Sequence, residues 1–76
     1  MDLEKFVEDK INNYAQMIID GKPRADELAL GELQFYMALR RMVTNRATSQ
    51  DVGMLDAIND VLQEKGLVKK GTTFYH

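Results

Sequence analysis

There is no cysteine anywhere in the 76 residues, so no disulfide can brace the fold. That absence fits a reducing cytosol, where thiols would stay free in any case. The single histidine, His76, stands at the end of the sequence, and one imidazole without thiols cannot build a structural zinc site. No glycine-rich phosphate loop is present, and Ser49 is better explained as a helix cap than as a nucleophile. The sequence therefore points to no catalytic, metal-ligating or cofactor-binding residues, and the expectation is a protein that is not an enzyme. Apolar runs are too short to cross a membrane. The opening Met1-Asp2-Leu3-Glu4 is acidic and lacks the apolar core of a signal peptide. Charge of one sign is also missing. A net charge of −2 exerts no general pull toward nucleic acid or anionic lipid.

A chain of this size makes one domain and buries only about 60% of its unfolded surface, so its stability is marginal. With disulfide and metal excluded, good helix packing or association with another chain must supply the difference. Charge is unevenly shared. Residues 1–38 hold eight acids against four bases, and residues 39–76 hold six bases against four acids.

What the sequence does contain is three segments of helical period separated by two capped breaks. The first runs from about Leu3 to Ile19, with Asp2 as N-cap and Glu4 favouring the positive end of the helix dipole. Leu3, Phe6, Val7, Ile11, Tyr14, Met17 and Ile18 share one face, and Lys5 can pair with Asp9 on another. Gly21 suits a left-handed termination. The break at Lys22-Pro23-Arg24 follows, with Pro23 acceptable in the first turn of the next helix. That second helix, roughly Asp26 to Thr44, lines up Leu28, Phe35, Leu39 and Met42. Leu30, Leu33, Tyr36, Met37 and Val43 widen its apolar arc to about two-thirds of the circumference. Gly31 costs it roughly 1 kcal/mol relative to alanine and is expected to mark a close helix crossing. Asn45 closes the helix. Thr48 or Ser49 caps a third, with Asp51 in its first turn. Met54, Leu55, Ala57, Ile58, Val61 and Leu62 form its apolar face, opposite Asp56, Asn59, Asp60, Gln63 and Glu64. Lys65-Gly66-Leu67 reads as a glycine cap with its hydrophobic contact.

The fold class expected is all-α: a three-helix domain over residues 1–66 and a short extended tail over 67–76. Lys69-Lys70-Gly71 is a turn signal, and Thr72, Thr73, Phe74 and Tyr75 favour extended backbone, so a short β-hairpin can form there. A lone hairpin is marginal in water, so the tail must lean on the core or on a neighbouring chain. Leu62 through Lys70, followed by such a hairpin, resembles the end of a winged helix-turn-helix. That resemblance implies a nucleic-acid-binding regulator using the basic C-terminal half. Electrostatics count against it, because the third helix would turn Asp56, Asp60 and Glu64 toward phosphates.

Two constellations remain. Glu32 falls by helical angle among Leu28, Phe35, Tyr36 and Leu39, and a carboxylate there needs a partner such as Tyr14, Tyr36 or an arginine. Arg40, Arg41 and Arg46 form the concentrated positive patch, suited to an acidic partner or a phosphate, or to offsetting a helix C-terminus. Helices one and three can each cover only part of the arc of helix two. One flank, marked by Leu30 and Met37, is left for a second copy, and a twofold dimer is the commonest way to close such a patch. The reading is a small protein–protein interaction module, an adaptor, regulator or inhibitor of the kind phages encode. It is expected to be cytoplasmic and homodimeric or bound in a complex. Arg40, Arg41, Arg46, Leu30, Met37, Phe74 and Tyr75 are its expected partner-binding residues.

Overall fold

Helix caps divide the chain into its elements. The computed structural model describes residues 2–21 and 23–75, with residues 23–26 described as backbone only. Met1, Lys22 and His76 lie outside the described residues, and with them the expected break at Lys22 and the terminal histidine. Three helices follow one another: α1 (Leu3–Asp20), α2 (Pro23–Val43) and α3 (Ser49–Glu64). Asp2 caps α1 by accepting the Lys5 amide, and Gly21 ends it at φ 72° with its N–H on the Ile18 carbonyl. Thr48 caps α3 reciprocally: its hydroxyl accepts the Asp51 amide at 3.1 Å, while the Asp51 carboxylate accepts the Thr48 amide at 3.0 Å.

Both remaining helix ends use one device. At the end of α3, Gly66 takes φ 74° and donates to the Gln63 carbonyl, while Leu67 donates back to Leu62. At the end of α2 the same pair of bonds forms around Asn45, at φ 61°. Asn45 donates to Met42 and Arg46 donates to Arg41 at 2.7 Å. Asparagine tolerates the left-handed region better than other side-chain-bearing residues, which is why it can stand where glycine usually does.

α1 and α2 form an antiparallel pair, with Glu8 level with Arg40 and Tyr14 level with Tyr36. α2 also packs against α3, whereas α1 and α3 do not meet along their backbones. The result is elongated, 41 × 26 × 24 Å. The core takes one buried residue from each part of the chain: Val7 from α1, Leu39 from α2, Leu55 from α3 and Tyr75 from the tail. Leu3, Ile11, Phe35, Tyr36, Met42, Val43, Ile58 and Phe74 pack around them. Burying such side chains contributes about 1.5–3 kcal/mol each.

The tail is not a hairpin, and no strand forms among the described residues. It turns at Lys70-Gly71 and again at Phe74-Tyr75. Asn59 takes the place of a pairing strand. Its Nδ2 donates to the Thr72 carbonyl at 2.9 Å, and its Oδ1 accepts the Phe74 amide at 2.9 Å. Gln63 Nε2 donates to the same Thr72 carbonyl. Asn59, assigned by pattern to the solvent face, is therefore buried. Val61, assigned to the apolar face, is exposed, as is Leu67 beyond its glycine cap. α3 is rolled away from its apolar pattern because the tail satisfies Asn59 and supplies Phe74 and Tyr75 as cover.

Gly31 marks no crossing, since a Cβ added there meets nothing within 4 Å. It is a mid-helix glycine facing open space. Gly31→Ala is expected to raise unfolding stability by about 0.5–1 kcal/mol. Asn59→Ala, which leaves the half-buried Phe74 amide without its acceptor and the Thr72 carbonyl with Gln63 as its remaining donor, is expected to lower it by about 1–3 kcal/mol. Urea unfolding of the two variants beside the parent checks both signs.

Candidate functional site

The three arginines of the positive patch converge. Arg40, Arg41, Arg46, Met37 and Thr44 line a cleft of about 590 Å³ at the C-terminal end of α2. Helix geometry places Arg40 and Arg41 one turn beyond Met37. The α2 cap then brings Arg46 back beside Arg41, because this type of cap sets these two positions against each other.

The arginines are not equivalent. Arg40 Nε lies 2.7 Å from Glu8 Oε1, tying α2 to α1 through a half-exposed pair. Arg41 forms a two-pronged bridge to Asp51, Nε to Oδ2 at 2.6 Å and Nη2 to Oδ1 at 2.8 Å, tying α2 to the start of α3. Asp51 is buried, and the Arg41 guanidinium, with the Thr48 amide, holds its carboxyl well below the usual carboxylate range. The same pairing raises Arg41 above its ordinary value. Arg46 is exposed and has no carboxylate partner among the described residues. No carboxylate among the described residues lines the cleft.

Up the same flank of α2 from the cleft lie Met37, Leu33 and Leu30, at helical spacings of four and three. Met37 is 42% exposed and Leu30 52%. The expected partner-binding residues Arg40, Arg41, Arg46, Met37 and Leu30 thus occupy one continuous strip. Phe74 and Tyr75 do not join it. Phe74 stacks on Phe35 at 6.5 Å between ring centres, and Tyr75 is buried with its hydroxyl on Asp56 at 2.5 Å. Both are spent on the core of their own chain.

Glu32 sits at the edge of the α1–α2 seam and is exposed. Its carboxylate faces the hydroxyl of Tyr14, which stacks on Tyr36 at 5.9 Å. Hydrogen bonding to Glu32, then burial and the carboxylate's charge, push the Tyr14 phenol up to about 12. A phenol raised in the folded state stabilises the fold below its ordinary value of 10.0 and loses that contribution as pH climbs toward 12. Glu32, expected by helical angle on the apolar face, is instead exposed and acts on Tyr14 from the rim.

The nonlocal pair Arg41–Asp51 escaped sequence reasoning. A cap suffices to explain Asp51, and nothing in the spacing of ten residues marks a carboxylate as serving two partners. Among the described residues no group of three potential ligands could hold a metal, and no helix is long and apolar enough to cross a membrane. No protein-family model, no curated protein and no solved structure matches the chain.

The depressed Asp51 gives an acid dependence of definite sign. Its contribution is present above the unfolded carboxyl value of about 4 and is lost as pH falls below it. The parent melting temperature is expected to drop through that window. Asp51→Asn, which keeps a capping oxygen but no charge, is expected to melt lower at neutral pH and to show a flatter acid slope. Calorimetry from pH 7 down to pH 2 checks this.

Proposed function

We propose that the chain is a small protein–protein interaction module, an adaptor, regulator or inhibitor, that works in the cytoplasm as a homodimer through the open flank of α2. The observation that carries this reading is the strip itself. Leu30 and Met37 are exposed on one side of the central helix, with half-buried Leu33 between them, and the row runs directly into the arginine cleft. Leu28, 64% exposed, and Ile19, 74% exposed, add further uncovered apolar surface at the α1–α2 turn. Surface of this kind, rimmed by charge, is characteristic of association sites.

A second copy suits the strip on grounds of charge. Exposed Glu27 lies one turn before Leu30, and Arg40 lies one turn after Met37. Two α2 helices laid antiparallel about the middle of the strip set Leu30 of one copy against Met37 of the other. Glu27 of each copy then faces Arg40 of its mate, as a second carboxylate beside that chain's own Glu8. A twofold arrangement satisfies both ends at once. The small size and absence of catalytic groups suit a small effector such as those phages encode.

Sedimentation velocity at roughly tens of micromolar tests the reading, since a dissociation constant in that range corresponds to a modest interface. The parent is expected to sediment as a dimer, and Leu30→Glu combined with Met37→Glu as a folded monomer. A parent that sediments as a monomer sinks the homodimer.

A further inference from the structure

We propose that the cleft walled by Arg40, Arg41 and Arg46 docks a short acidic segment of a different protein, with Arg46 as the anchoring cation. The inference rests on the interaction-module reading and gives that module its partner chemistry.

Four observations lead to it. First, Arg46 is placed by the backbone rather than left on a free loop. Its amide is held on the Arg41 carbonyl at 2.7 Å, one residue after Asn45 turns the chain through φ 61°. A cation whose main chain is already fixed loses less freedom on engaging a ligand. Second, its charge is unused. Glu8 and Asp51 answer Arg40 and Arg41, while Arg46 has no carboxylate among the described residues. Three guanidiniums against two carboxylates leave one positive charge at the cleft. Third, the paired arginines keep donors to spare. Arg41 commits only Nε and Nη2 to Asp51, and a guanidinium carries five N–H groups in a fixed fork that matches carboxylate geometry. Fourth, the cleft is bounded on one side by Met37, an adaptable apolar wall, and at about 590 Å³ it has room for side chains of a peptide.

The surroundings select among anions. Exposed Asp60 and Glu64 on α3, and Glu4 and Asp9 on α1, present negative charge elsewhere on the surface. Asp9 is answered by Lys5, but the other three leave the chain's net charge at −2, which gives a long polyanion such as a nucleic acid no general attraction beyond the cleft. A short segment with one or two carboxylates and an aliphatic neighbour needs none. Its carboxylate engages Arg46 and the free edges of Arg40 and Arg41, and its aliphatic group rests on Met37.

The test uses the full chain and a fluorescein-labelled peptide of repeated Glu-Glu-Leu triplets, followed by anisotropy at low and high salt. The expected result is saturable binding that weakens with salt. It should weaken by about tenfold in Arg46→Ala, the scale of removing a single charge-assisted hydrogen bond, and by more in Arg46→Glu or when glutamine replaces glutamate in the peptide. Arg46→Ala serves beside Arg46→Glu, and thermal melts like the parent's show that both remain folded. No binding at low salt, equal affinity for the Arg46 variants, or tighter binding of a single-stranded oligonucleotide of equal charge each overturns the proposal. Leu30→Glu, about 10 Å up the helix from Met37 at 1.5 Å per residue, separates this from dimerisation. Arg46-dependent peptide binding by a chain that sediments as a monomer keeps the docking site and removes the homodimer. A parent dimer that binds no peptide does the reverse.

Discussion

Everything rigid in this molecule passes through the C-terminal half of α2. α1 and α3 never meet along their backbones, so their relative position is transmitted by one helix they both touch. Residues Phe35 to Val43 therefore carry two packing faces. Tyr36 serves α1, ringed by Phe6 at 6.2 Å and Tyr14 at 5.9 Å, while Phe35 serves the tail through Phe74. The two aromatics are neighbours in sequence and touch edge to face at 5.2 Å, so the two faces are mechanically joined. The electrostatics repeat this division. Arg40 reaches to α1 and Arg41, one residue on, reaches to α3. Successive residues of a helix diverge by about 100°, which is what lets adjacent arginines hold elements on different sides.

That division explains why the arginine cleft lies where it does. Cations at a helix C-terminus are favoured by the backbone dipole whatever else they do. Here the dipole, the two interhelical bridges and the cap all draw guanidiniums to the same end of α2. Two of them are consumed by the fold and one is left over. A cluster recruited for structural reasons thereby acquires a surplus that structure does not need.

Local features were legible in the sequence and distant pairings were not. Asp2, Gly21, Asn45, Thr48 and Gly66 act within a few residues of themselves, and each stands where its chemistry placed it. The apolar face of α1 and the Lys5–Asp9 pair followed from periodicity for the same reason. Asn59 and Gly31 went astray because their meaning depends on residues far along the chain or absent beside them. Mid-helix asparagine reads as solvated until a tail thirteen residues away donates to it and accepts from it. Mid-helix glycine suggests a crossing, yet the neighbouring helix lies elsewhere. The arginine cluster was visible as composition. Only the fold showed that Glu8 and Asp51, from two other helices, divide it into occupied and unoccupied members.

The tail bears on how the molecule comes into being. Tyr75 is one of the four buried residues at the centre of the core, yet it is encoded beyond the last helix. Until that residue docks, the three helices can be formed and paired with Leu55 and Leu39 still incompletely covered. α1 and α2 can pair early, because their contacts span a short loop and need nothing downstream. The segment that seals the core has no helix of its own and docks onto theirs. For that interval the folding chain displays an apolar seam open to non-native contacts, which the finished packing no longer shows.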